Sequence, residues 1–270
     1  MTNRTDYPPA QQHASEARPP ASRRSAAHWS IRNASITAGI ALLLMSVVAI
    51  FGNVVAVDGL ITEGDAAQTT ANIMAAQGLL RLGIVSLIVV VALDVVVAWA
   101  LYRVFSPVNR SLSMLAAAFR LVYSGVFMVA IGQLLGVIRL LSDDGNLALL
   151  GADQLNAQAM VGITAFNDIW YVSQFLFGLH LLLIGYLAYR AGYLPRVLGV
   201  LLAISGLGYA TDSLGAVLSR GTWTDISTFT FIGEFLLALW LVIRARHIAA
   251  SATALEAEPV AHRTMDDLNA

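Results

Sequence analysis

The sequence predicts an all-α fold, a polytopic membrane bundle of six transmembrane helices with both termini in the cytoplasm. Three observations lead there. Of 270 residues, 57% are apolar and only 12% charged, whereas soluble domains carry about 25% charged residues, so the chain lacks the polar residues to coat a water-facing surface. Six apolar runs, near 36–57, 80–102, 113–139, 159–188, 197–218 and 228–244, match the roughly 20 helical residues that cross a bilayer core of about 30 Å. The runs show no apolar alternation and far exceed the ten or so residues of a barrel strand. Finally, arginine collects in alternate connections, as the positive-inside bias requires.

The elements follow in order. Residues 1–32 form an N-terminal cytoplasmic tail, polar, carrying Pro8-Pro9 and Pro19-Pro20, and expected to be disordered. The apolar run after it is too extended for a cleaved signal peptide and is expected to remain as an anchor. In the outer connection, Asp65 can cap a short surface helix from Ala66 through Gln77, a stretch without Gly or Pro. The fourth run is long, with polar residues in its first half, and is expected to tilt or protrude. The membrane domain spans 33–246, and residues 247–270 read as a second disordered cytoplasmic tail.

Twelve arginines, among them Arg32, Arg103, Arg110, Arg190, Arg196, Arg244 and Arg246, fall on the predicted inner side. Arg81, Arg139 and Arg220 fall on or near the other, beside acidic connections holding Asp58, Glu63, Asp65, Asp143, Asp144 and Asp153. Trp29, Trp99, Tyr102, Tyr189, Tyr193 and Trp240 would form the inner aromatic belt and Trp223 part of the outer one, with Trp170 deeper. The sequons at Asn3, Asn33 and Asn109 lie on the cytoplasmic side and carry no weight. All 16 basic residues are Arg, which we read as the composition bias of a GC-rich bacterial genome, and the bacterial cytoplasmic membrane is the expected location.

The net charge of −1 offers no long-range attraction to nucleic acid. With no cysteine, disulfides, thiolate metal sites and cysteine nucleophiles are excluded. HExxH, GxSxG, Walker A and GxGxxG patterns are absent, and four of the five histidines (His13, His28, His247, His262) lie outside the spans. These absences weigh against an enzyme, and neither a metal nor another cofactor is expected. The expected partners are the lipid bilayer and an unknown small ligand or a proton.

Six ionisable side chains fall where lipid should be: Asp94, Arg120, Asp168, His180, Asp212 and Glu234. Each costs about 2.5–3.5 kcal/mol at mid-membrane, so they are expected to face the bundle interior. Asp94 lies 13 residues before Pro107 and Arg120 13 after it, at equal depth on hairpin-connected helices, which predicts an ion pair that His180 can join. Asp168, Asp212 and Glu234 are placed in the outer half, with no basic residue at their level. They can share protons as a structural network, bind a proton or cation, or never meet. Gly132-x-x-x-Gly136 and Gly199-x-x-x-Ala203 are expected to mark tight helix contacts within the chain. Leu101-Tyr102-Arg103 with Pro107 and Arg110 parallels Ala188-Tyr189-Arg190 with Pro195 and Arg196, a weak parallel repeat.

Several motifs together resemble one bacterial membrane family. They include Gly64-Asp65-Ala66-Ala67, Arg81-Leu82-Gly83, Asp94 before Leu101-Tyr102-Arg103, Pro107-Val108-Asn109 and Phe119-Arg120-Leu121-Val122. The second half adds Phe177-Gly178-Leu179-His180, Gly185-Tyr186-Leu187, Leu198-Gly199, Gly208-Tyr209, Asp212-Ser213 and Gly233-Glu234. Over about residues 35–245 the chain resembles the family catalogued as domain of unknown function 4386. The resemblance implies a multi-pass membrane protein and no particular activity; Asp168 matches none of its motifs. Two readings stay open: small-ligand or proton-coupled transport or sensing through a polar core, and a structural or accessory protein whose buried charges only fix packing. A membrane-embedded enzyme is the third.

Overall fold

The computed structural model describes residues 30–143, 145, 150–219, 226 and 232–251. Of the expected tails, 1–32 and 247–270, residues 1–29 and 252–270 lie outside the described residues, as does Trp223, whereas residues 31–32 and 247–251 are helical. Among the described residues the α-helices are α1 (Ile31–Ala49), α2 (Ala66–Ala75), α3 (Gln77–Phe105), α4 (Arg110–Ser142), α5 (Ala152–Arg190), α6 (Arg196–Leu218) and α7 (Ile232–Ile243). Five stretches are long and apolar enough to cross a bilayer: α3, α4, α5, α6, and α1 together with its continuation to Leu60. The 12 residues of α7 form a shorter apolar helix, and residues 228–231 of the expected sixth run are not described.

Local chemistry explains the boundaries. Ser30 caps α1 by accepting from the Asn33 amide, and Asn109 caps α4 by accepting from the Leu112 amide at 3.0 Å. Asn109 is thus a helix cap within its sequon. Asp65 accepts from the Gln68 amide at 2.8 Å and starts α2 at the expected residue. This short helix ends at Ala75, immediately before α3. Gly64 and Gly192 hold positive φ values of 74° and 71° in the turns before α2 and α6, a region that disfavours side chains.

The start of α1, the ends of α3, α5 and α7, and the starts of α4 and α6 gather at one end of the bundle. The turn between α5 and α6 touches the end of α3: the Tyr193 hydroxyl donates to the Val104 carbonyl at 2.7 Å. Tyr193 is therefore buried in the bundle and leaves the expected aromatic belt, whereas Trp99 and Tyr189 are exposed at that end. Among the described residues, Arg32, Arg103, Arg110, Arg190, Arg196, Arg244 and Arg246 mark this end, and Arg81 and Arg139 the opposite one.

Packing between spans depends on small residues, since lipid tails remove the hydrophobic drive that joins helices in water. A Cβ placed on Gly185 would lie 2.7 Å from the Gly199 carbonyl, and one on Gly206 would lie 2.7 Å from that of Gly178, so α5 and α6 touch backbone to backbone. The expected contact at Gly199 is present. Gly132 and Gly136 instead face open space on the exposed side of α4, contrary to the expectation of an internal contact. Leu121, Val122, Met128, Val129 and other large apolar side chains point outward as well, an arrangement suited to lipid.

Candidate functional site

Four ionisable residues meet at one level. Asp94, Arg120, His180 and Glu234 lie 11, 10, 10 and 9 residues from the arginine-rich ends of α3, α4, α5 and α7, or about 15 Å at 1.5 Å per residue. Arg120 Nη2 stands 2.5 Å from Asp94 Oδ1, with the two residues 1% and 2% exposed. The predicted ion pair is thus present. At this distance charge attraction carries the contact. Ser124, one turn along α4, donates to the Arg120 carbonyl at 2.8 Å and lies within reach of Asp94.

His180 joins the pair. Its Nδ1 lies 2.8 Å from the Ala116 carbonyl and its Nε2 3.2 Å from Arg120 Nη1. A carbonyl only accepts, so Nδ1 carries the proton and donates. Nε2 then accepts from the guanidinium, and the imidazole is neutral. The rest of the arginine is enclosed by Met45, whose Sδ is 3.7 Å from Nη2, and by the Phe177 ring, 5.2 Å from the guanidinium carbon. Arg120 Nε and Gln174 Oε1 are buried without a hydrogen-bond partner.

An aromatic wall borders this centre on the side away from the arginine-rich end. The Phe177 ring lies 4.8 Å from that of Tyr123 and 5.2 Å, edge-on, from that of Tyr209. Phe127, Phe166 and Trp170 extend the wall through contacts of 5.9–6.4 Å. The Tyr209 hydroxyl neighbours the half-buried Glu234 carboxylate, which lies within electrostatic range of Arg120 and Asp94.

The outer acidic group is therefore dispersed. Glu234 sits at the depth of Arg120 because α7 is short and crosses α6 at Gly233, where an added Cβ would lie 2.9 Å from the Leu201 carbonyl and Ser205 Oγ. Asp212, fully buried, turns both carboxylate oxygens to the Ile226 amide at 2.9 and 3.0 Å. Asp168 is exposed, 22 residues from the arginine-rich end of α5. That is about 33 Å, beyond a 30 Å core. At 39 residues the helix is long enough for the expected tilt or protrusion. Among the described residues no three His, Cys, Asp or Glu side chains are placed to share a metal ion.

Sequence reasoning missed Tyr209, Phe177 and Tyr123 as members of the site. One signal was present: Tyr123 and Ser124 follow Arg120 at i+3 and i+4, and Phe177 precedes His180 by three, so each shares a helix face with an ionisable residue.

Fold and site together define a polytopic helical membrane protein built around a buried arginine. Residues 37–245 match the family described as Domain of unknown function (DUF4386), and the chain belongs to that family. An uncharacterized protein of Archaeoglobus fulgidus is 34% identical over 166 residues, covering 62% of this chain and 85% of that protein. No solved structure matches the chain.

Proposed function

We propose that the arginine-centred core is a proton-binding site of a transport or sensing protein, with Glu234 as the group that takes up and releases the proton. The observation that carries this reading is the charge balance at one depth. A single guanidinium faces two carboxylates, and Asp94 already occupies it at 2.5 Å. A second anion at Glu234 lacks a cation of its own, at a cost of about 2.5–3.5 kcal/mol at mid-membrane. Proton uptake by the carboxylate removes that charge, and release restores it. The groups facing Glu234 are the Tyr209 hydroxyl from α6, Arg120 from α4 and Asp94 from α3; α1, which packs along α7, carries Arg32 only at its start. The proton is the probe available without knowing a further ligand. The arginine-rich end would face the cytoplasm, with both chain termini there, in a prokaryotic plasma membrane.

Solid-supported membrane electrophysiology on proteoliposomes tests the reading. A pH step should displace charge with the wild type and not with Glu234→Gln, while Asp168→Asn behaves as wild type. Equal signals from wild type and Glu234→Gln would overturn it.

A structural role is the second reading, favoured by the closed Asp94–Arg120–His180 group, which ties α3, α4 and α5 together with α1 through Met45. Under that reading Glu234→Gln leaves both charge displacement and stability unchanged.

A further inference from the structure

We propose that the cleft between α6 and α7 binds one anionic glycerophospholipid from the leaflet at the arginine-rich end. The two helices are closest where Gly233 meets Leu201 and Ser205. From there toward Pro195 and Arg244 they enclose a cleft of about 310 Å³. Its walls are apolar, formed by Val197, Leu198, Leu201, Leu236, Leu239 and Trp240. This is a surface for an acyl chain.

Two features at the mouth call for more than a hydrocarbon. Arg244 lines the cleft with its guanidinium 5.4 Å from the Trp240 ring centre, and no carboxylate among the described residues forms an ion pair with it. The indole Nε1 of Trp240 beside it is buried and finds no acceptor among the described residues, whereas buried donors are nearly always satisfied. A lipid phosphate at the mouth supplies the charge that Arg244 lacks. Arg196, its guanidinium 5.7 Å from the Tyr189 ring centre, and Arg246 add positive charge at the same end. Basic pockets between transmembrane helices take anionic headgroups on these terms. A zwitterionic headgroup brings its own cation to compete with Arg244, and free phosphate leaves the apolar walls unused. This site is independent of Glu234, so failure of the proton reading leaves it intact.

Native mass spectrometry of the full chain released from nanodiscs of equal phosphatidylglycerol and phosphatidylcholine tests the proposal. The wild type should retain one phosphatidylglycerol in preference to phosphatidylcholine. Arg244→Gln should lower that retention about fivefold, the effect of one basic residue at a headgroup, and leave phosphatidylcholine unchanged. Trp240→Phe should lower it less, and Leu239→Trp, which fills the cleft, should abolish it. Equal retention of the two lipids by the wild type, no effect of Arg244→Gln, or displacement by inorganic phosphate would each overturn the proposal. If Leu239→Trp fails to fold, Arg244→Gln still decides, because Arg244 is solvent-exposed.

Discussion

Two helical hairpins turn at the arginine-rich end, α3/α4 through residues 106–109 and α5/α6 through residues 191–195. Each carries a Tyr–Arg contact across its turn. Arg110 Nε donates to the Tyr102 hydroxyl at 3.3 Å, and the Arg196 guanidinium lies 5.7 Å from the Tyr189 ring centre. Beyond the turns they diverge. In α5/α6 glycines at seven-residue spacing, Gly178 and Gly185 against Gly206 and Gly199, bring the two backbones into contact. In α3/α4 the glycines Gly125, Gly132 and Gly136 face outward, and a buried ion pair joins the helices instead. Helices in backbone contact leave no room for a polar centre. Helices held apart by side chains can house one, and a third helix, α5, then reaches in with His180 and Phe177. The polar core thus sits on the hairpin without close-packed glycines.

Filling the glycine contact should break the molecule most severely. Gly185→Leu must push α5 and α6 apart along their length, since its first added carbon already lies 2.7 Å from the Gly199 carbonyl and 2.8 Å from the Ala203 amide. We expect a loss above about 4 kcal/mol, seen as failure to elute as a monodisperse species in detergent. Gly132→Leu on α4 should change stability by no more than about 0.5 kcal/mol. Equal damage from both would remove the distinction between the hairpins.

Breaking the ion pair comes next. Arg120→Gln strands the Asp94 carboxylate and should cost about 3–5 kcal/mol in reversible unfolding. Asp94→Asn strands the guanidinium at similar cost. The double variant removes both charges and should be milder than the sum of the singles; additive losses would show that the two side chains do not act as a pair. His180→Ala takes from Arg120 one acceptor while Ala116 keeps its helical hydrogen bond, so about 1–3 kcal/mol is expected.

The hairpins also differ in how much of them was legible in the sequence. Equal counts from Pro107 placed Asp94 and Arg120 at one depth, because both helices begin or end directly at a four-residue turn. The same arithmetic misplaced Glu234. It measured α7 from an outer boundary near residue 228, whereas the described helix is short and Gly233 lies against α6. Asp168 was counted as a membrane charge because its apolar run continues past the thickness of a bilayer. Gly132-x-x-x-Gly136 has the spacing of a contact motif, yet spacing alone does not say which face of α4 turns inward. Tyr193 was assigned to the aromatic belt by position, although a tyrosine in a tight turn can equally fold back onto the bundle. In each case helix identity followed from composition, while the failure lay in depth or rotation, which only packing decides.

That tyrosine supplies the smallest test, since it joins the two hairpins with one hydrogen bond. Tyr193→Phe keeps the ring and removes the donor to the Val104 carbonyl, so a loss of about 1 kcal/mol is expected at neutral pH. Burial raises the affinity of the folded-state hydroxyl for its proton. A folded pKa above the unfolded value makes the contribution complete below the unfolded pKa of about 10 and lost as pH rises through the folded value. The stability difference between wild type and Tyr193→Phe should therefore be flat from neutral pH to about pH 10 and shrink above it. A difference that stays constant at alkaline pH would mean that Tyr193 is solvated, and that the two hairpins are not joined through it.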